Sequence, residues 1–318
     1  MISQLAGPAS VTVQDVAEPS AGGQVLIEVR AAGVCFPDVL QTRGLYQFAP
    51  PLPFVPGSEV SGIVLAAPAD SGFAAGDRVA AFSVLGGFAE RVAVPPGQVF
   101  ALPDGVGFDE AAALPMNYLT CDFALRVRAG MAPGETVLVH GAAGGIGTAA
   151  IQLARAGGAR VIAVVSSADK DAVARSAGAH EVIPVSGFKD AARELTQGRG
   201  VDIIVDPVGG DRFTDSLRAL APLGRLLVIG FTEGSIPEVK VNRLLLGNLS
   251  VVGVGWGALW TQRPGFLQEQ WAAIAPLVAS RAIRPVVGAT YPLAEVGAAL
   301  NAIDERSAVG KLIVHPGN

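Results

Sequence analysis

The residues best suited to hold a reactive group lie in Val137-Leu-Val-His-Gly-Ala-Ala-Gly-Gly-Ile-Gly147 and the segment behind it. A short apolar β-type run, 136–139, ends in a glycine-rich turn, and a helical run, 148–156, follows and stops at Gly157-Gly158. A second apolar run, 160–165, completes a strand–turn–helix–strand unit of dinucleotide-binding size. In such a unit Gly144 permits a tight turn, Gly145 lets the backbone approach a pyrophosphate, and Gly147 lets helix and strand pack closely. The helix start at Gly145-Ile146-Gly147 offers unpaired N–H groups and a positive dipole end to phosphates. A ligand-free βα turn could use the same glycines, but the second strand arriving on schedule favours a cofactor.

The end of that second strand bears on which cofactor. NAD-specific units place Asp or Glu about 20 residues beyond the turn, where it binds the ribose 2′-hydroxyl. Here the stretch reads Val164-Val-Ser-Ser-Ala-Asp-Lys170, with Val165 and Ser166 in the place of the acid. Ser166 and Ser167 can donate hydrogen bonds and Lys170 can supply charge to a 2′-phosphate, so NADPH is expected. Asp169 falls in the first turn of the next helix, where it complements the dipole.

The elements that must position these residues follow from the pattern. Residues 1 to about 110 are β-rich, with runs at 24–30, 59–65 and 88–94, turn signals between them, and one helical insert at 37–44. Such spacing suggests a small barrel or sandwich. A helical pattern spans 110–128, and from 134 strands and helices alternate: helices at 168–177 and 212–220, strands at 201–205, 225–229 and 249–254. Alternation of this kind means a parallel sheet with helices on both faces. Asp206 with Val208-Gly209-Gly210 sits where open α/β sheets bind ligands. A long helix at 264–280, a run at 283–287, a helix at 293–303 and a strand at 311–314 make a tail that could join either half.

Composition narrows the class. The chain has 318 residues, half of them apolar and 16% charged, so two domains with large cores are expected. A net charge of −5 gives no support for a nucleic-acid or anionic-membrane surface. No apolar run approaches the roughly 18–20 residues that span a bilayer, and no basic-then-apolar leader opens the chain. Cys35 and Cys121 are too few for a disulfide framework, which points to the cytoplasm.

Several further segments fall in a telling order: Ala31-Ala-Gly-Val-Cys-Phe-Pro-Asp38, Pro56-Gly-Ser-Glu-Val-Ser-Gly-Ile-Val64, Gly76-Asp-Arg-Val79, Gly87-Phe-Ala-Glu90, Ala113-Leu-Pro115 with Leu119-Thr120, and Gly310-Lys311. With the glycine turn, they make the whole chain resemble the medium-chain dehydrogenase/reductase superfamily, and within it the zinc-free quinone oxidoreductase (zeta-crystallin-like) group. The resemblance implies an α/β protein with a GroES-like, partly open β-barrel domain at 1–117 and 255–318. A Rossmann domain of doubly wound parallel sheet occupies 118–254. The tail thereby returns to the barrel. The opening strand is short at Met1, as a late start or a truncation would make it. A homodimer is implied too, with the 249–254 edge strands pairing across a two-fold axis.

Zinc-dependent members use a Cys, a His in a G-H-E triplet and a later Cys. Here Cys35 holds the first position, but the others read Ser58 and Met116, both poor zinc ligands, and no four-cysteine lobe is present. No metal is expected. Without a Lewis acid, reduction relies on positioning and hydrogen-bond polarisation, which suits a quinone or activated enone better than a plain ketone. By resemblance the catalytic candidates are Tyr46, Cys35 and Asp38. Tyr46 lines the acceptor pocket as a proton donor or an aromatic wall, Cys35 lines it as a thiol, and Asp38 acts there or braces a helix start. Thr120 approaches the nicotinamide or caps a helix; Gly230-Phe231-Thr232 and Val208 border the nicotinamide ribose region; Arg306 lies near the cofactor or on a solvated surface. The implied activity is NADPH-dependent hydride transfer to a quinone or activated enone. The alternatives are a 2-enoyl or 2-haloacrylate-type double-bond reductase, and a crystallin-like NADPH-binding protein with little turnover.

Overall fold

The computed structural model describes residues 1–317, and the chain divides into two compact units. The first takes in Met1–Met116, Pro264–Ala279 and the chain from Pro285 on; the second takes in Asn117–Arg263 with Ser280–Arg284. Residues 255–263 therefore belong to the second unit, ahead of the point where the chain returns to the first.

In the first unit β1 (Val25–Val34) leads into a short helix α1 (Phe36–Gln41). Strands β2 (Glu59–Ala66), β3 (Arg78–Phe82), β4 (Arg91–Val94) and β5 (Val99–Ala101) follow, then helix α2 (Phe108–Ala112). Helix α3 (Pro115–Asp122) crosses into the second unit and runs on into a π-helical turn, Phe123–Arg128. Strands and helices then alternate: β6 (Thr136–Val139), α4 (Gly145–Ala156), β7 (Arg160–Val165), α5 (Asp169–Ser176), β8 (Glu181–Pro184), α6 (Phe188–Leu195), β9 (Val201–Asp206), α7 (Phe213–Ala219) and β10 (Leu220–Val228). The unit closes with α8 (Asn242–Gly247), β11 (Ser250–Gly253) and α9 (Trp256–Trp260). Four elements complete the first unit: α10 (Phe266–Ala279), β12 (Val287–Pro292), α11 (Val296–Asp304) and β13 (Lys311–His315).

The first sheet runs β12-β13-β1-β2-β3-β5, with β4 also paired to β1. β13 lies antiparallel to β1, Val314 opposite Ala32, so the tail does return to the barrel half. The second sheet, β11-β10-β9-β6-β7-β8, is parallel throughout. Its central strands β6, β7 and β9 are buried almost end to end, the signature of a sheet covered on both faces. The α/β architecture expected from the sequence is thus present.

Several local expectations change. α4 begins at Gly145, three residues before the apolar pattern starts. The pattern over 110–128 is broken at Ala113-Leu114, because the residue before Pro115 is driven out of helical geometry. Strand β4 starts at Arg91 rather than Phe88: Gly87 and Phe88 instead donate to the carbonyls of Gly57 and Pro56. Val287 opens β12, since Pro285 has no N–H for a ladder. Ser280–Arg284 is held within the second unit by Gln152, whose amide nitrogen donates to the Arg284 carbonyl (2.6 Å) and whose oxygen accepts from the Arg284 N–H (2.8 Å). Strands β3, β5 and β8 and helix α6 are not among the expected elements, although 79–82 is an apolar run and Phe188, Ala191, Ala192 and Leu195 share one face of α6.

His140, just past β6, is fully buried beneath α6 and α7. Its Nε2 lies 2.9 Å from Ser216 Oγ, the ring stands edge-on to Phe188, and Nδ1 has no partner among the described residues. Burial, with the Arg212 charge adding to it, lowers its pKa to about 3. The unfolded chain takes up a proton below its ordinary value near 6.5, while the folded chain does so only near pH 3, so stability falls as pH drops through that window. Unfolding by urea at a series of pH values should show a loss of roughly 1.4 kcal/mol per pH unit between about pH 6 and pH 4 from this group. His140→Gln should lack that component; identical pH slopes for the two proteins would contradict the assignment.

Candidate active site

In the first unit the candidate residues gather where β1 ends. Cys35 caps α1, and Asp38 in the first turn reaches back: its Oδ2 accepts from the Cys35 N–H (2.8 Å), as in a capping box. Its Oδ1 accepts from Ser58 Oγ (2.9 Å), so Asp38 ties α1 to the start of β2. Glu59 opens β2 opposite Gly33. Its Oε1 accepts from Cys35 Sγ (3.2 Å) and pairs with the Lys311 ammonium, and its Oε2 accepts from the Met116 N–H (2.6 Å). Lys311 Nζ also donates to Cys35 Sγ at 3.0 Å. Gly33 leaves the room this requires, since a Cβ there would stand 2.6 Å from Glu59 Oε1 and 2.8 Å from Lys311 Cε.

The electrostatics follow from burial. Desolvation first, then the Glu59 charge, push the Cys35 thiol up, so it is a neutral thiol at neutral pH. Burial raises Asp38 to about 6 against the hydrogen bonds from Cys35 N–H and Ser58, which hold it down. Burial alone would lower the Lys311 ammonium, but the Cys35 sulfur and the Glu59 carboxylate reverse that and hold it above the ordinary lysine value. Tyr46 is half-buried; desolvation and then the fields of Cys35 and Asp38 raise its phenol. The structure thus brings Tyr46, Cys35 and Asp38 into one electrostatic neighbourhood. Glu59 and Lys311 are members of it that chemistry-bearing spacing did not single out, although both stand inside motifs, Pro56-Gly-Ser-Glu59 and Gly310-Lys311.

The positions Cys35, Ser58 and Met116 do not fit a zinc ion. The Ser58 hydroxyl is committed to Asp38, and an ammonium sits 3.0 Å from the one sulfur able to become a thiolate. Among the described residues no group of three or more His, Cys, Asp or Glu side chains could hold a metal.

In the second unit the glycine roles are partly reassigned. Gly141 (φ +57°) makes the tight turn, whereas Gly144 is an ordinary extended N-cap residue with φ −84°. Gly147 has the expected packing role: a Cβ there would overlap the Gly141 carbonyl and stand 2.6 Å from Ala142 Cα. The space over Gly145 is filled by the Asn117 carboxamide. Thr120 lies inside α3, so it does not cap a helix. Tyr118 is committed to Gln152, its hydroxyl 2.7 Å from Oε1.

At the end of β7, Lys170 Nζ donates to Ser166 Oγ (3.3 Å), while Ser167 donates to Asp169, which with a backbone N–H keeps that carboxylate low. At the end of β9, Asp206 accepts from the N–H groups of Val208 and Gly209 (both 2.9 Å). The 230–232 loop is tied there too, with Thr232 N–H on the Pro207 carbonyl and Phe231 packed against Gly209. Arg306 belongs to the first unit, in a left-handed turn beyond α11, near an Asp304 that pairs with Arg43.

A cavity of about 600 Å³ elsewhere on the second unit is lined by Arg193, Arg199, Arg218 and Arg243 beside Leu217 and Leu249. It contains no candidate residue. Three of its four arginines serve neighbours: Arg193 donates to backbone carbonyls, Arg199 pairs with Asp202, and Arg218 with Asp215.

The buried pair at the centre of the first unit can be tested. Lys311→Met leaves the Glu59 carboxylate buried without its cation and should cost about 3–5 kcal/mol in urea unfolding. Adding Glu59→Gln should recover most of that loss. A double variant as unstable as the single one would show that packing, not charge, is what Lys311 supplies.

Two family models match: "Alcohol dehydrogenase GroES-like domain" over residues 21–104, and "Zinc-binding dehydrogenase" over 145–280. The chain is 39% identical over 309 residues to quinone oxidoreductase-like protein 2 of Rattus norvegicus, covering 96% of this chain and 88% of that protein. Its fold is similar to that of a probable oxidoreductase from Mycobacterium abscessus, at TM-score 0.91 and 46% identity, over 99% of this chain and 97% of the other. It is also similar to the quinone oxidoreductase of Thermus thermophilus, whose structure is known with NADPH, at TM-score 0.86 and 38% identity, over 99% and 98% of the two chains.

Proposed function

This chain belongs to the medium-chain dehydrogenase/reductase superfamily, in its quinone oxidoreductase group, and from that premise we propose that it is an NADPH-dependent, zinc-independent reductase of a quinone or another activated enone. One observation carries the reading: a complete glycine turn with Ser166 and Lys170 gathered at the end of β7, where no acid replaces them as ribose ligand. NADPH supplies the hydride when bound. The chain's part is to hold and orient it. The N–H groups of Gly145, Ile146 and Gly147 at the start of α4 face the pyrophosphate, and Ser166, Ser167 and Lys170 take the 2′-phosphate. Thr120, Val208 and Gly230–Thr232 border the nicotinamide half.

On the acceptor side Tyr46 is the proton donor. A phenol is protonated at neutral pH at its ordinary value, burial only raises that value, and the hydroxyl has no hydrogen-bond partner among the described residues. Cys35 and Asp38 are held by their partners and shape the pocket. With no metal fitted to these positions and the Lys311 ammonium committed to Glu59 and Cys35, polarisation is weak, which suits acceptors whose incoming charge is delocalised. Free Cys35 and Cys121 agree with a cytoplasmic setting, and no described helix is long and apolar enough to cross a membrane.

The test is a panel of quinones, enones and 2-enoyl or 2-haloacrylate substrates, followed by NADPH oxidation in the presence of a chelator. Quinone or enone turnover is expected with NADPH preferred over NADH, Tyr46→Phe lowering kcat about 10²-fold. Lys170→Ala should raise KM for NADPH at least tenfold with little change for NADH, the range of one charge-assisted contact. Turnover confined to 2-enoyl substrates, loss in chelator, or equal kcat/KM for the two cofactors would each overturn its part of the reading.

We also propose a homodimer through the free edge of β11. That strand is terminal in its sheet, and Val241, Leu245 and Leu246 beside it are more than 70% exposed (72%, 76% and 80%). An apolar unpaired edge is a liability that two-fold pairing removes. Light scattering should give twice the chain mass at micromolar concentration, and Leu246→Glu should shift it toward monomer. A wild-type monomer would end the idea.

A further inference from the structure

Asn117 has no role in the proposed function, yet its placement asks for one. It stands in the first turns of α3 with 6% of its surface exposed, and its carboxamide has no hydrogen-bond partner among the described residues. The side chain is almost wholly enclosed, yet its open amide atoms still reach solvent, so they can meet a polar group that arrives from outside the chain. Its direction is clear from Gly145. A Cβ on that glycine would overlap Asn117 Nδ2 and lie 3.3 Å from Cγ, and only Asn117 atoms are that close. The amide nitrogen therefore hangs over the first residue of α4, a twelve-residue helix whose opening N–H groups have no acceptor within the helix.

We infer that the Asn117 carboxamide is a direct ligand of the cofactor's pyrophosphate, donating from Nδ2 beside the N–H groups of α4. The inference rests on the proposal that this unit binds NADPH. It explains why Gly145 lacks a side chain: the room is needed for Asn117 as well as for an approaching phosphate. Thr120 stands one turn on from Asn117 along α3, at the i,i+3 spacing that shares a helix face, and its hydroxyl likewise lacks a partner among the described residues. One face of α3 thus carries a short row of open polar groups, Asn117 at the phosphate end and Thr120 beyond it.

Calorimetric titration of the full-length chain with three ligands tests this: NADPH, 2′-phospho-ADP-ribose, which keeps both phosphates of the bridge but lacks the nicotinamide, and 2′-AMP, which lacks the bridge. For Asn117→Ala, affinity for NADPH and for 2′-phospho-ADP-ribose should fall by a common factor of about 10- to 100-fold, the range of one hydrogen bond to a charged group. Affinity for 2′-AMP should stay unchanged. Asn117→Asp should lose more than Asn117→Ala, because it sets a carboxylate against the phosphates. Unchanged NADPH affinity overturns the inference. So does a loss confined to NADPH, which would place Asn117 on the nicotinamide half, or an equal loss for 2′-AMP, which would make its role structural. If the wild-type chain binds 2′-AMP and 2′-phospho-ADP-ribose equally well, no phosphate bridge is recognised and the inference fails while a 2′-phosphate site survives. If it binds none of the three, the cofactor proposal fails with it.

Discussion

The second unit depends on how closely α4 lies against the turn that precedes it. At Gly147 the helix backbone approaches Gly141 and Ala142 so tightly that no Cβ fits between them. That approach fixes the helix start relative to the ends of β6 and β9, and Thr148 strengthens it by donating to the carbonyls of Gly144 and Gly145 (3.0 and 3.2 Å). The rest of the unit serves to hold this geometry. Its central strands are buried on both faces, and Asp206 fastens the loop beyond β9 by accepting two backbone N–H groups. A helix start so fixed presents its unpaired N–H groups without rearrangement, which is the main requirement of an anion site.

The first unit solves a different electrostatic problem. Glu59 is fully buried, and a buried carboxylate needs both a counter-charge and hydrogen bonds on its remaining lone pairs. Lys311 supplies the charge, and Cys35 and the Met116 N–H supply the bonds. Because Lys311 opens β13, the return of the tail to the barrel sheet brings the cation itself, besides adding a strand. Buried ion pairs contribute little net stability compared with apolar packing, but they are intolerant of displacement. Here the pair pins β1, β2, β13 and the start of α3 at a single point.

What could be read from the sequence divides along physical lines. Apolar runs bounded by glycine marked β6, β7 and β9, and the glycine spacing marked the turn between β6 and α4, because those signals are local. The place of the tail was not local: residues 311–314 read as a strand, and only the resemblance assigned it to the barrel. β8 escaped notice since Glu181–Pro184 is only partly buried and offers neither a clean alternation nor an apolar run, whereas α6 was missed although Phe188, Ala191, Ala192 and Leu195 mark one apolar helical face. The same limit operated in the site. Gly144 took the role of Gly141 because spacing cannot tell which glycine has positive φ. Asn117 was passed over because its meaning lies in what it faces, Gly145, 28 positions further along the chain.

Tyr46, Cys35 and Asp38 are all candidates from the sequence, Asp38 chiefly as a brace of a helix start and Cys35 as a pocket-lining thiol, and their surroundings separate them. Asp38 has no exposed surface, and both its oxygens are engaged in joining α1 to β2. Cys35 is almost as deeply buried, its sulfur lies between Glu59 and Lys311, and burial keeps it a thiol. Proton transfer from either would have to break the contacts that hold the barrel's end together. Tyr46 is half-buried, and its hydroxyl is unengaged among the described residues. Burial and then nearby negative charge raise its pKa above an ordinary value at which the phenol is already protonated, so it carries a proton at neutral pH and gives it up less readily than a free phenol. The buried cluster therefore bears on the proposed chemistry at one remove: its fixed groups keep their own protons out of reach and leave the phenol as the group free to meet an acceptor.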